Sequence, residues 1–265
     1  MAAMATIVVL RRVAAVVVPA LGLVALSFAA PRVPLDGMLA DAAYVVAESG
    51  DTLGVTLVAV LLIAVLVTRP GLTLVRRVRE AVVFGIAAGL ILGGGAWLNE
   101  HGIKPWFAVA RPSILELESH GTLQLDAVEF YGLGDKRARS AFLAQRLAAA
   151  DYAGPRLGSW IRDHWSHMTG YSFPSGHSFA SMLALTFFLS VGLALAGGWR
   201  RWPFFALAPW AVLVCWSRVV LRVHSPLDVT VGALQGILVG ALAFVLVAAV
   251  LGPSPTVETA DAGRR

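Results

Sequence analysis

Six stretches of about twenty apolar residues, at about 10–30, 52–68, 81–99, 178–198, 203–222 and 227–250, alternate with segments in which the charges gather. A hydrocarbon layer about 30 Å thick needs roughly 20 apolar residues in a helix, so each stretch predicts a membrane-spanning helix. The expected fold class is therefore all-α, a polytopic membrane protein of six helices over residues 1–252. The polar, proline-containing tail 253–265 is expected to be disordered and cytoplasmic. Arg11 and Arg12 before a run ending in "SFAAP" also fit a signal peptide. The poor small-residue cleavage pattern and the length of the run favour a retained span.

One polar interruption is long. Residues 113–172 have in their middle "DKRARSAFLAQRLAAADY", an amphipathic helix pattern, and predict a small helical cap. The short loop "RPGLTLVRRVRE" (69–80) holds Arg69, Arg76, Arg77 and Arg79 and the turn "WRRW" (199–202) holds Arg200 and Arg201, so both should face the cytoplasm, where short loops carry an excess of positive charge. Segment 31–51, with Asp36, Asp41, Glu48 and Asp51, then lies outside, as do 100–177 and the link near 222–226. Gly93, Gly94 and Gly95, inside the third span, predict close helix packing.

Composition agrees with the pattern and excludes other classes. Of 265 residues 58% are hydrophobic and 14% charged, far from the balance of an ordinary soluble domain. The net charge of +5 does not point to nucleic acid, because the arginines flank hydrophobic runs and form no basic face with interleaved aromatics. A lone cysteine, Cys215, excludes a disulfide framework and reads as a small buried hydrophobe.

Charge beside a span is costly and calls for a functional account. Three clusters qualify: "KPWFAVARP" (104–112), "PSGH" (174–177) and "SRVVLRVHSPLD" (217–228), all at the outer ends of spans three to six. Pro174, Ser175 and Gly176 open the fourth span, where free backbone N–H groups and the positive helix end favour an anion. Ser175 adds a hydroxyl donor. Lys104, Arg111 and Arg218 bring three cations, and guanidinium groups suit a tetrahedral oxyanion such as phosphate. In "HSPLD", Ser225 reads as N-cap, Pro226 as first helical residue and Asp228 as a first-turn acid reaching back toward His224. A carboxylate on one ring nitrogen leaves the other free as a nucleophile, and His177 remains as a second imidazole for proton transfer.

Taken singly these residues have ordinary explanations, such as snorkelling cations or a plain helix start. Jointly those explanations fail, since they would have to place three cations, two imidazoles and an acid at one membrane face. A serine hydrolase would need a G-x-S-x-G elbow around Ser175, which is absent. A zinc site from His177, His224 and Asp228 is disfavoured by the surrounding cations. No metal or other cofactor is expected. His101, His120, His164 and His167 read as surface or loop residues, with the last two kept as substrate-contact candidates.

Lysine, six residues, Arg-Pro; then Pro-Ser-Gly-His; then Ser-Arg, five residues, His, three residues, Asp: this order resembles the three-part signature of the type 2 phosphatidic acid phosphatase superfamily. "EFYGL" (129–133) and "HWSHMTGYSFPSGHSF" (164–179) are similar to the bacterial phosphatidylglycerophosphatase B type. The resemblance implies a metal-independent, six-helix membrane phosphatase. Lys104, Arg111, Ser175, Gly176 and Arg218 would bind phosphate, His224 would attack it, oriented by Asp228, and His177 would protonate the leaving group and later activate water. The implied partners are membrane lipid phosphates and diphosphates: phosphatidylglycerophosphate, undecaprenyl diphosphate and phosphatidate-type lipids. A site on the outer face of a bacterial inner membrane favours undecaprenyl diphosphate. Vanadium-dependent haloperoxidases resemble the same pocket but are expected as soluble helical proteins, and a catalytically silent lipid binder would not need both histidines and Asp228.

Overall fold

The structure, a computed structural model, describes residues 2–251; the tail 253–265 lies outside the described residues. The described chain is helical: α1 (Ala2–Ala25), α2 (Met38–Ser49), α3 (Thr52–Val67), α4 (Leu74–Leu98), α5 (Lys104–Phe107), α6 (Pro112–Ser119), α7 (Ala127–Gly132), α8 (Lys136–Leu147), α9 (Ser159–His167), α10 (Gly176–Leu195), α11 (Trp202–Phe205), α12 (Leu207–Val220) and α13 (Pro226–Leu251). No strand forms among the described residues; Leu35 and Leu157 make one isolated bridge. The chain is thus an all-α polytopic membrane protein.

Five helical segments are long and apolar enough to cross a bilayer: Met4–Ala29, Leu74–Phe107, Gly176–Leu195, Gly198–Val220 and Pro226–Leu251. The sixth candidate differs from the expected straight span at 52–68. It is a bent pair, α2 and α3, meeting at 59°. The acids of segment 31–51 suggested a polar outer loop, yet Ala40, Ala43 and Ala47 recur at helical spacing and are buried. That small-residue face lets α2 lie against α12.

Helix α10 stands in the middle, with α13, α12, α1, α3 and α4 around it. Met182, Leu185, Phe187, Phe188 and Leu189 of α10 are buried in the main core. The closest packing is against α13 and depends on a glycine stripe. A Cβ on Gly232, Gly236 or Gly240 would run into the carbonyl oxygens of Ser175, Phe179 and Leu183, respectively. Only hydrogen fits there, so the two backbones approach closely. Of the glycines expected to serve this purpose, only Gly95 does, against the Phe179 ring; Gly93 and Gly94 face open space.

The two ends of the bundle differ. At one, Glu80 is buried between Arg69, at 2.5 Å, and Arg76, at 2.9 Å, while Arg79 donates to Val250 O and Arg200 to Val65 O. At the other end lies the cap. Helix α8 starts at Asp135, whose carboxylate accepts from Ala138 N, and α7 starts at an Asp126–Glu129 capping box. Ile114, Leu117, Phe130, Leu143, Leu147, Ile161 and Trp165 form the cap's own core, together with Leu221 and Val223 from the link before α13.

Candidate active site

The starts of α10 and α13 and the end of α4 meet beneath the cap. The α13 start folds as its sequence predicts. Asp228 N donates to Ser225 Oγ (3.1 Å) and Ser225 N to Asp228 Oδ2 (2.7 Å), a reciprocal cap. At the start of α10, Ser175 Oγ accepts from Ser178 N (3.4 Å) and Ser178 Oγ (3.0 Å). Ser175 N donates to Asp228 O at 3.0 Å. That bond ties the two helix starts together directly above the glycine stripe.

A cavity of about 640 Å³ opens at this junction. Lys104, Arg111, Gly176, His177, Arg218 and His224 all line it. Ser175 and Asp228 stand behind that lining, fully buried or nearly so, the first as a helix cap and the second beside His224.

The His224 ring lies between a carboxylate and a guanidinium. Its Nε2 lies 3.1 Å from Arg111 Nη1, while its Nδ1 faces Asp228 Oδ2 at 3.5 Å and makes no hydrogen bond among the described residues. A guanidinium only donates, so Nε2 carries the lone pair and the neutral tautomer's proton sits on Nδ1, toward Asp228. Burial, then the charges of Arg111 and Arg218, hold His224 well below the usual imidazole range. It is a neutral imidazole with Nε2 on the cavity side.

Arg111 is nearly buried and spends its donors on backbone carbonyls. Nε donates to Gly170 O (2.8 Å) and Nη1 to Val223 O (2.9 Å), so one side chain joins the segments before α10 and before α13. Arg218 is completely buried but far less satisfied. Its Nη1 meets His164 Nε2 at 3.3 Å and its Nη2 meets Met168 Sδ at 3.4 Å, while Nε has no partner among the described residues. A buried guanidinium with spare donors, facing a cavity, has unmet demand for an anion. His177 Nε2 lies 4.0 Å from Asp51 Oδ1.

Some site residues escape the sequence pattern. His164, expected at the surface, is buried, T-shaped against Tyr44 and beside Arg218. Burial, with Arg218 and Arg111 nearby, pushes its pKa down to about 3, so it is a neutral support for that guanidinium. His101, His120 and His167 are exposed as expected, and His167 also touches the cavity. Glu100 accepts from Lys104 Nζ at 2.7 Å and also from Lys136 of α8. Its spacing of four residues from Lys104 was a legible signal; the Lys136 partner, across the cap, was not.

Away from the cations the cavity changes character. Val55, Ala59, Val60 and Ile63 of α3 face Gly85, Ala88, Gly89, Leu92, Gly93 and Ala96 of α4 along an apolar lane. One pocket therefore joins a polar end, able to hold a tetrahedral anion, to a lane suited to a hydrocarbon chain.

Residues 81–251 match the PAP2 superfamily, a range within which the eight candidate site residues fall. Phosphatidylglycerophosphatase B of Escherichia coli (strain K12) is 34% identical over 200 residues, covering 71% of each chain. The protein of that name from Haemophilus influenzae is 31% identical over 149 residues, 54% of this chain and 57% of the relative. The chain belongs to the PAP2 superfamily.

Proposed function

We propose that this member of the PAP2 superfamily is an integral-membrane lipid phosphatase that removes the terminal phosphate of undecaprenyl diphosphate or phosphatidylglycerophosphate, and of phosphatidate-type lipids, through a phosphohistidine. One observation carries the reading: a single cavity in which Lys104, Arg111, Arg218, His177 and His224 crowd one end and α3 and α4 supply an apolar lane to the other. The name of its relatives, phosphatidylglycerophosphatase B, supports the lipid class.

The steps follow from the residues. The terminal phosphate takes the spare donors of Arg218, the ammonium of Lys104, the guanidinium of Arg111 and the backbone N–H groups at Gly176 and His177. Ser175 contributes by capping α10 and aiming those N–H groups. As Arg111 turns its donors to the phosphate, the Nε2 lone pair of His224 is released and attacks phosphorus. An N–P bond forms and the bond to the lipid oxygen breaks, with His177 giving that oxygen a proton. Asp228 stabilises the Nδ1–H of the phosphorylated ring. Water, losing a proton to His177, then displaces His224 and releases inorganic phosphate. No step calls for a metal, and the cation cluster would repel one.

The site faces outward, across a bacterial inner membrane, on this reading. The opposite end of the bundle gathers Arg69, Arg76, Arg79 and Arg200, as cytoplasmic ends do. Undecaprenyl diphosphate is the favoured substrate there.

The test is phosphate release by purified protein in detergent with a chelator present, offering undecaprenyl diphosphate and phosphatidylglycerophosphate in parallel with the His224→Ala variant. Chelator-resistant release that the variant lacks is expected. Release that persists in His224→Ala would overturn the phosphohistidine route.

A further inference from the structure

The cavity-lining face of α4 runs without a break from the apolar lane through Leu92, Gly93 and Ala96 to Asn99, Glu100 and Lys104. A π-helical turn, Asn99–Ile103, carries the polar part, and such wide turns often mark functional positions. Anything that lies with a chain in the lane and a terminal phosphate on Lys104 and Arg111 must therefore pass Asn99 and Glu100.

Two donors await it there. Asn99 is buried, its Oδ1 accepts from Gln235 Nε2 at 2.9 Å, and its Nδ2 has no partner among the described residues. Lys136 reaches the same place from the cap, where Glu100 holds its ammonium one carboxylate away from that of Lys104. The approach is tight: a Cβ on Gly170 would sit 2.9 Å from Lys136 Cε and 3.2 Å from Glu100 Oε1. Lys136 is half exposed, yet it is tethered at both ends, since Thr169 Oγ1 donates to its carbonyl at 3.2 Å.

We infer that Lys136 and Asn99 form a second phosphate subsite, between the scissile phosphate and the apolar lane, with Glu100 as the positioning residue that holds Lys136 over it. The ligand class is a lipid whose head carries two phosphoryl groups, either directly joined or separated by a short alcohol bridge. Lys136 is thus a specificity-determining residue that favours such heads over a single phosphate. The inference rests on the reading that the cavity binds phosphate, but not on turnover. Without an anion in the subsite, the carboxylate of Glu100 satisfies both lysines; with one, Lys136 transfers its donors to the phosphate, a charge-assisted contact.

The experiment measures thermal stabilisation of the full chain in detergent at low salt by three probes that cannot be hydrolysed: methylphosphonate, methylenediphosphonate and propane-1,3-diphosphonate. The diphosphonates are expected to bind about tenfold tighter than methylphosphonate, as one charged hydrogen bond allows. Lys136→Gln should reduce that preference to about twofold and Lys136→Arg should keep it. Whichever diphosphonate binds tighter distinguishes a direct phosphate linkage from a bridged one. A wild-type protein without the preference would overturn the subsite, and so would a Lys136→Gln variant weakened equally toward all three probes. A protein that hydrolyses no lipid but keeps the Lys136-dependent preference refutes the phosphatase reading and leaves the subsite standing.

Discussion

Helices α10 and α4 border the same cavity but are built on opposite terms. In the span Gly176–Leu195, 78% of the apolar window is buried within the protein; in Leu74–Phe107 the figure is 11%. The first is a central post locked to α13 by glycines that admit no side chain. The second turns Val82, Ile86 and Leu90 outward and keeps Gly85, Gly89 and Gly93 where a Cβ would meet nothing. On the proposed reading, the two imidazoles stand where the post meets α13, His177 on α10 and His224 on the link before α13, and the lipid chain lies against the wall.

The sharpest test of this division is where the post meets the start of α13. His224→Ala should lower kcat/KM by roughly 10³-fold or more, the scale seen when a nucleophile is removed, and should abolish acid-labile phosphate on the protein after substrate addition. Asp228→Asn should cost about 10²- to 10⁴-fold in kcat, because an amide no longer stabilises the ring's Nδ1–H, with KM moving much less.

Packing variants test the same contrast through stability. Gly236→Ala puts a methyl group into the Phe179 carbonyl and should cost about 1–3 kcal/mol, read as a lower unfolding midpoint with loss of activity. Gly93→Ala, in open space on α4, should be neutral or stabilising by up to about 1 kcal/mol. Equal effects at the two positions would dissolve the distinction between post and wall.

The smallest effect expected is a slope. His164 has a folded pKa of about 3, below its unfolded value near 6.5, so the unfolded chain binds the extra proton first. Stability contributed by keeping this ring neutral is present above about pH 6.5 and drains away as pH falls toward 3. His164→Gln should flatten that decline in chemical or thermal unfolding.

How much of this was legible follows from the range of each signal. The α13 start could be read because Ser225, Pro226 and Asp228 act within four residues, and capping is local chemistry. The convergence of three clusters followed from alternating spans. The glycine stripe could not be found the same way. Gly232, Gly236 and Gly240 lie in a helix as apolar as its neighbours, and nothing local says which face meets a backbone; Gly93 to Gly95, a denser cluster, drew attention to a largely open face. Helix α2 was hidden by acids that punctuate an apolar face, and the Glu100–Lys136 contact by a sequence separation of 36 positions.

The link carrying His224 is fastened to the cap side at several points. Trp165 Nε1 donates to Leu221 O at 2.9 Å and Arg111 to Val223 O at 2.9 Å, while Arg222 grips Glu116 Oε1 at 2.6 Å and Val33 O at 2.8 Å. The cap helices therefore act as a splint. Trimming 113–172 to make a minimal enzyme would unbrace the proposed nucleophile, and a cap that swung open as one piece would drag the His224 ring with it.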